Sequence, residues 1–348
     1  MKMFRRLSFN RDLFILVFTL MLFFLVGLIN GTFISVDTLL RVLNSSLVLI
    51  LVAAGATLVI LTKGIDVSIG ATLGLSAIIF GSLLNGNMPP LFAFLLCLSV
   101  GASAGLFNGV MVAVFRIPPI IATLGSLGLY RGIALLYSGG SWIESVPFEI
   151  KQLSTRTFGR LSIVAWLTLS VVAAMYLFLR YHRWGRYFYL TGSNEDAARL
   201  LGIPVKTVQL TAFVGSGVLA ALAGVVFTSQ IGFIPTQAGS GIELRAIGAS
   251  VIGGVSLLGG TGTVLGAATG AYFLTSIDSI LVSLKFPAYW NDLLSGVILL
   301  LVLIFDQRLP DLLNNVSGAR KRSVPEMTKS QTSEQTLLEK DSVDRAKL

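Results

Sequence analysis

Leu43-Asn-Ser-Ser-Leu-Val-Leu-Ile-Leu-Val-Ala-Ala-Gly-Ala-Thr-Leu-Val-Ile-Leu-Thr62 is an unbroken run of 20 residues without a charged side chain. An α-helix of that length is about 30 Å long, which matches the hydrocarbon core of a bilayer. Similar runs recur along most of the chain. Only 12% of the 348 residues are charged and the mean hydropathy is +0.82, whereas soluble domains have about 25% charged residues. The sequence therefore predicts an integral membrane protein built of α-helices.

Ten apolar runs predict an all-α, polytopic bundle of about ten transmembrane helices. The eighth run is short and rich in glycine. It is either a full span or a broken segment that re-enters the bundle, which leaves nine or ten spans. The predicted spans are 12–30, 43–62, 67–84, 91–115, 119–138, 161–180, 208–230, 245–258, 262–284 and 291–306.

The positively charged residues predict the orientation of this bundle. Lysine and arginine near helix ends are retained in the cytoplasm, and a ten-span arrangement with both termini inside places most of the 26 on that side. Residues 1–11 are then a cytoplasmic N-terminus and residues 12–306 the transmembrane domain. Residues 307–348 are rich in Ser, Thr, Glu, Lys and Arg, a composition that predicts a disordered cytoplasmic tail.

The predicted cytoplasmic loop at residues 181–207 contains a short amphipathic helix in its middle. Asn194 is the expected N-cap, two acidic residues follow it, and glycine and proline end the helix. Such a helix either rests on the membrane surface or docks another protein. The residues assigned to docking are Gly192, Asn194, Glu195, Asp196, Ala197, Ala198, Arg199 and Gly202.

Glycines repeat at four-residue intervals in two of the predicted spans. Rows of small residues on one helix face let backbones approach closely in a bilayer, so each row predicts tight helix packing. The two rows are Gly101, Gly105, Gly109 and Gly262, Gly266, Gly270.

Polar side chains in or near the spans are candidates for a translocation pathway, since each is costly in a bilayer unless it is paired or faces water. Asp66 opens an apolar helix, so an N-cap or first-turn role is at least an equal alternative. A pair between Glu243 and Arg245, and one between Arg131 and Asp278, are hypotheses that the positions suggest. The assigned pathway residues are Asn108, Thr123, Arg131, Gln230, Gln237, Asp278 and Asn291.

No catalytic or metal-binding pattern stands out in the sequence. The single cysteine, Cys97, lies in an apolar run and is expected to be a packing residue. The single histidine, His182, cannot form a catalytic triad or a two-histidine metal site. The chain has no G-x-x-x-x-G-K-[ST] phosphate loop, so ATP hydrolysis would come from another chain. The basic residues lie between apolar runs rather than on one face, which argues against nucleic acid.

Four separated motifs resemble those of the permeases of ribose-type ABC importers, and the resemblance covers residues 40–308. It implies that the 181–207 loop holds a coupling helix that seats in a cytoplasmic ATPase. It also implies a second, homologous permease, a twin-domain ATPase that binds ATP and Mg, and a periplasmic solute-binding protein. This chain would then lie in the bacterial inner membrane without a cofactor of its own. The motifs are Gly64-Ile-Asp-Val-Ser-Ile-Gly70, Ile117-Pro-Pro-Ile-Ile-Ala-Thr-Leu-Gly125, the loop from Gly192 to Ile203, and Gly253-Gly-Val-Ser-Leu-Leu-Gly-Gly260.

Within this family, three further stretches resemble the permeases of autoinducer-2 importers. This narrower resemblance implies a small, uncharged, highly hydroxylated ring as the ligand, which amide and hydroxyl side chains would hold only transiently. The stretches are Leu127-Gly-Leu-Tyr-Arg-Gly-Ile133 with Ser138-Gly-Gly-Ser-Trp142, Ser229-Gln-Ile-Gly-Phe-Ile-Pro235, and Phe286-Pro-Ala-Tyr-Trp-Asn-Asp-Leu293.

Two alternatives stay open on the sequence. An ion-coupled secondary transporter usually has carboxylates near the membrane midplane, and Asp278 is the carboxylate predicted inside a span away from its ends. A permease for ribose or another monosaccharide would share every feature above, because a separate binding protein selects most of the ligand.

Overall fold

The computed structural model describes residues 17–28 apart from Leu22 and Val26, residues 35–144 and 146–287, and five positions between 290 and 300. These residues belong to one unit that ends at Val302. In chain order the helices are α1 Val36–Leu61, α2 Ile69–Asn85, α3 Pro90–Ala113, α4 Pro119–Ser138, α5 Phe148–Thr155, α6 Ile163–Tyr181, α7 Arg183–Ser193, α8 Glu195–Leu200, α9 Val205–Ile231, α10 Ile242–Ile252 and α11 Val264–Ser283.

Six of these helices are long and apolar enough to cross a membrane, namely α1, α3, α4, α6, α9 and α11. Helix α2 is apolar but has only 17 residues. These seven helices coincide with seven predicted spans. The largest difference is that α1 begins at Val36 instead of residue 43, because the Ser35 hydroxyl caps it by accepting the backbone N–H of Thr38 at 3.2 Å.

The remaining predicted segments are described only in part. Within the first predicted span, the described residues between 17 and 28 are helical. The predicted termini, 1–11 and 307–348, lie outside the described residues, as does most of the tenth span, 291–306.

Helix α1 forms the centre of the bundle. In its apolar window 83% of the residues are buried, compared with 22% in α4, and α9, α10 and α11 all pack against it. Polar side chains on this buried helix bond to backbone carbonyls, so they do not remain unsatisfied. The Thr57 hydroxyl donates to the Ala53 carbonyl at 2.8 Å, and the Ser250 hydroxyl from α10 donates to the same oxygen at 3.1 Å.

The first glycine row packs α3 directly against α9. A Cβ atom on Gly105 would overlap the carbonyl oxygen of Phe213 and lie 2.8 Å from the Cα of Val214. One on Gly101 would overlap backbone atoms of Gly217, and one on Gly109 would lie 3.1 Å from the Cα of Leu210. The two backbones therefore touch over three turns, which only glycine permits at Gly101 and Gly105.

The second glycine row is only partly correct. Gly262 lies before α11 in the left-handed region, with φ at 130°, and faces Val255 in the preceding loop. The helix begins at Val264 because the Thr263 hydroxyl accepts the N–H of Gly266 at 2.9 Å. Gly266 and Gly270 lie in the helix and contact the end of α10.

The eighth predicted run, 245–258, is half a helix. Helix α10 has 11 residues, which is about 16 Å or roughly half of a hydrocarbon core. Irregular residues 232–241 precede it and run beside α2: Ile234 forms a β-bridge with Ile143, and the Ala238 carbonyl lies against Gly74. One side of the unwound half is thus covered by protein, with Ile234 and Ala238 buried. Irregular backbone at membrane depth must be covered by protein or line a water-filled cavity.

The loops gather at two ends of the bundle. The end that we call the coupling end contains residues 62–64, 114–118, 181–204 and 253–263, as the hydrogen bond from the Gly260 N–H to the Leu61 carbonyl shows. The opposite end contains residues 139–162 and 232–234.

Two small elements at the opposite end were not predicted, because their polar sequence contains no apolar run. One is α5, whose Ser154 donates to the carbonyl oxygen of Ser229 near the end of α9 at 2.8 Å. The other is an antiparallel pair of two-residue strands, β1 Thr157–Phe158 and β2 Leu161–Ser162, in which Thr157 lies opposite Ser162.

The contact between α3 and α9 predicts that a glycine-to-alanine substitution destabilises the protein at this contact but not at a glycine with open space around it. Gly105→Ala should lower the thermal unfolding midpoint in detergent, since overpacking a tight contact costs about 1–3 kcal/mol. Gly125→Ala is the matched control, because a Cβ there meets no atom within 4 Å and alanine favours the helix by about 1 kcal/mol. Equal midpoints for the two variants would contradict the close packing.

Candidate functional site

The predicted coupling loop, 181–207, contains two helices, α7 and α8, which meet at Asn194. The predicted coupling helix is α8. Asn194 is extended, with φ at −159°, and its side-chain Oδ1 accepts the N–H of Ala197 at 3.0 Å. This confirms the expected N-cap of α8. Glu195 forms an ion pair with Arg199 one turn later, and Gly202 follows in the left-handed conformation at φ 75°.

One side of α8 faces the bundle and the other is open. Ala198 is buried, whereas Asp196, Ala197 and Arg199 are exposed. Leu200 and Leu201 at its end are 90% and 72% exposed. Exposed leucines next to charged side chains are typical of a surface that binds another protein or a membrane.

Glycine backbone anchors the coupling loop to the bundle. A Cβ on Gly192 would overlap the Leu61 carbonyl and lie 2.6 Å from the Gly260 nitrogen. The Gly260 N–H itself donates to Leu61 at 3.1 Å, and the Tyr189 hydroxyl donates to the Gly262 carbonyl at 3.1 Å. Two of the four motifs, those of Gly192 and Gly260, therefore meet the end of α1 here as backbone on backbone.

A cavity of about 410 Å³ lies between α8 and the ends of α1, α3 and α9. Its walls include the acidic residues Glu195 and Asp196 and the basic residues Lys63, Arg116 and Arg199. The charge of the coupling helix is thus balanced by cations from two other loops of the coupling end.

A larger cavity, about 590 Å³, lies towards the opposite end between α1, α9, α10 and α11. It contains two of the predicted pathway residues, Gln230 and Asp278. The Gln230 amide donates to the Asn44 carbonyl at 2.6 Å. The walls of this cavity mix polar and apolar groups. They also include Thr38, Arg41, Ser45, Phe227, Arg245, Thr275 and Ser279.

The ion pairs differ from both proposed pairings. Arg245 pairs with Asp278 in the larger cavity, and Arg131 pairs with Glu243 at 3.3 Å. Glu243 and Arg245 cannot pair with each other, because residues two positions apart on a helix do not face each other. The two-residue spacing between Glu243 and Arg245 was enough to exclude their pairing from the sequence alone.

Asn108 and Thr123 lie together in a buried polar cluster around residues 65–68. The Asn108 amide donates to the Ser68 hydroxyl at 2.8 Å, and Thr123 accepts the Val67 N–H at 3.2 Å. Asp66 is not an N-cap: it precedes α2 by three residues, its Oδ1 accepts the N–H of Ser68 at 3.0 Å, and its Oδ2 accepts the Ser216 hydroxyl at 3.0 Å.

The other predicted residues lie apart from these groups. Gln237 is exposed on the irregular segment before α10, and Asn291 lies outside the described residues. Cys97 is fully buried, with its sulfur near the carbonyl oxygens of Ser76 and Ala221, which confirms its packing role. His182 caps α7 by accepting the Trp184 N–H. In the part of the chain that is described, no three His, Cys, Asp or Glu side chains converge as metal ligands.

Residues 38–303 match the family model described as "Branched-chain amino acid transport system / permease component". The chain belongs to this permease family. It is 51% identical over 300 residues to the "Autoinducer 2 import system permease protein LsrC" of Escherichia coli (strain SMS-3-5 / SECEC), covering 86% of this chain and 88% of the relative. The proteins of the same name from Salmonella choleraesuis (strain SC-B67) and Yersinia enterocolitica serotype O:8 are 51% and 50% identical over the same length. The permease matches 86% and 83% of those chains.

Two ion pairs of the permease, Arg245–Asp278 and Glu195–Arg199, predict different responses to the loss of a charge. Asp278→Asn should destabilise the protein measurably, since it leaves Arg245 without its partner in a largely buried site. Arg199→Gln is the control and should cost under about 1 kcal/mol, because the Glu195–Arg199 pair is 39–47% exposed. Thermal unfolding in detergent measures both, and an equal loss in the two variants would contradict the prediction.

Proposed function

We propose that this permease is the translocation subunit of an ATP-driven importer for autoinducer 2. The observation that carries the proposal is α8, a capped and outward-facing helix that glycine backbone fixes to the bundle. The permease family and the printed names of the relatives support it. The identity of the ligand, autoinducer 2, is inferred from those names and is the more specific part of the proposal.

The chain acts with three partners in this proposal. A second, homologous permease completes the transmembrane pathway, and a periplasmic binding protein delivers the ligand to the opposite end. A cytoplasmic twin-domain ATPase docks at α8, and ATP and Mg belong to that ATPase. This permease performs no chemical reaction of its own.

The proposed topology has ten spans in the inner membrane with both termini in the cytoplasm. In this count 232–252 is one span, irregular in its outer half and helical in its inner half. The excess of positive residues at the coupling end, such as Lys63, Arg116 and Arg186, supports placing that end in the cytoplasm.

Motion of the ATPase would reach the bundle through the contacts of Gly192. Backbone atoms in contact cannot be displaced separately, so a shift of the coupling loop must move Leu61 at the end of α1 and Gly260 before α11. This favours alternating access, in which closure of the ATPase dimer changes which end of the bundle is open.

The polar residues suit a neutral, hydroxylated ligand that must leave again. Gln230 and Asp278 line the larger cavity, but their side chains already bond to protein groups. Asn108 and Thr123 are likewise satisfied. Walls whose polar groups are already paired are expected to bind the ligand weakly. A translocation pathway requires weak binding, because the ligand must be released. The Asp278–Arg245 pair also weakens the case for an ion-coupled transporter, which needs a carboxylate available to its ion.

Charge reversal on α8 tests the docking role. Glu195→Lys with Asp196→Lys should abolish uptake and co-purification of the ATPase, because both charges change sign on the docking surface. Glu149→Lys, an exposed acid on α5 at the opposite end, is the control and should retain co-purification of the ATPase. Membrane abundance shows that the chain is inserted, and full uptake with the reversed charges would rule out this docking site.

Deletion of the gene tests the ligand. The mutant should stop depleting autoinducer 2 from the medium while consuming ribose at the wild-type rate. Re-expression of the permease should restore depletion. A mutant that loses ribose uptake alone would assign the permease to a monosaccharide.

A further inference from the structure

Two spans of this permease begin as irregular backbone and continue as a helix. Residues 62–68 leave the coupling end, and α2 begins only at Ile69. Residues 232–241 return from the opposite end, and α10 begins only at Ile242. The starts of the two helices meet: a Cβ on Gly70 would lie 2.5 Å from the Gly239 carbonyl oxygen and would overlap the carboxylate of Glu243.

This meeting point lies about halfway through the bundle. Helix α10 measures about 16 Å from its start to the coupling end, and Arg131 is 12 residues, or about 18 Å, along α4 from the same end. A hydrocarbon core is about 30 Å thick. Helix starts that meet at such a depth are a feature of transporter binding sites, because their N–H groups and partial positive charge face inward.

Glu243 presents an unused oxygen at this point. The residue is 7% exposed, and its Oε1 accepts Arg131 at 3.3 Å. Its Oε2 is buried, faces the first turn of α2 at Gly70, and has no hydrogen-bond partner among the described residues. An ionised carboxylate accepts up to about four hydrogen bonds, so this oxygen can accept from a hydroxyl group when the contact between Glu243 and Gly70 opens.

Arg131 faces away from the buried core. Its side chain is 38% exposed, although it lies mid-way along an apolar helix. Gly128 and Gly132 beside it leave open space, where an added Cβ would meet no atom within 4 Å. A cation at this depth is not stable against lipid, so this face of α4 must border water or protein.

We propose that Arg131 and Glu243 form a contact site for a neutral, polyhydroxylated ligand on the wall of the translocation pathway. Arg131 donates to ring or hydroxyl oxygens. Glu243 Oε2, which Gly70 covers in this structure, accepts from a hydroxyl group once the start of α10 moves away from α2. The pair has no net charge, which suits a neutral ligand better than an anion. This proposal rests on the proposed function, because the site is placed on the translocation pathway of an importer.

The same site is connected to the coupling loop. Helix α10 runs from Glu243 to Gly253, and the loop that follows reaches Gly260, which contacts Gly192 and Ser193. A ligand that draws Arg131 away from Glu243 therefore loosens the start of a helix whose other end leads to the docking surface.

Variants of the pair test the site in the complete importer, reconstituted in proteoliposomes with labelled autoinducer 2. Arg131→Gln and Glu243→Gln should each lower the initial uptake rate about tenfold, the effect of losing a hydrogen bond to a charged group. ATP hydrolysis should continue, so that ligand moved per ATP falls. Arg131→Lys keeps the charge and should lose less. Ser103→Ala, which removes an exposed hydroxyl that bonds within α3, should transport at the wild-type rate.

Exchange of the two charges separates a ligand contact from a structural ion pair. Arg131→Glu combined with Glu243→Arg restores the attraction but puts the anion on the pathway wall, so uptake should stay low. Wild-type uptake in the exchanged protein, or in Arg131→Gln, would overturn the proposal. If the wild-type importer moves ribose instead of autoinducer 2, the ligand assignment fails, and the same variants then test the site with ribose.

Discussion

The rest of this structure depends on one constraint: a bilayer core contains no water to hydrogen-bond the backbone. A helix satisfies this constraint with its own backbone hydrogen bonds, which is why six long apolar helices dominate the described residues. The two irregular segments satisfy it with hydrogen bonds to neighbouring elements. Thr123 bonds to the backbone of Ile65 and Val67, and Ile143 exchanges two backbone hydrogen bonds with Ile234. Each break in a helix is therefore enclosed by a neighbour.

The same constraint explains the use of glycine. Helices in a bilayer gain little from apolar surface alone, so close contact between backbones supplies the packing energy. Gly101 and Gly105 do this between α3 and α9, and Gly70 and Gly239 do it between the first turn of α2 and the irregular segment before α10. At Gly192 the same device joins the coupling loop to the bundle. A contact made of backbone is stiff, which suits a point that must pass on a movement.

Two ion pairs connect different helices of the bundle. Arg131–Glu243 connects α4 to α10, and Arg245–Asp278 connects α10 to α11. The start of α10 is thus held from two sides, while its far end leads to the coupling end. This short helix lies between the proposed ligand contact and the ATPase-docking surface, and it is the element best placed to connect them.

Local features of this protein were determined by the sequence. The apolar runs specified the helices, and the Asn194 cap specified α8, because hydropathy and capping act over one or two turns. The depth at which α10 begins and the partners of Arg131 and Asp278 were decided only by the tertiary structure. Arg131 and Glu243 are 112 residues apart, and their contact depends on how far each helix is displaced and rotated against the next. That register is set by packing across the whole bundle, so no local pattern encodes it.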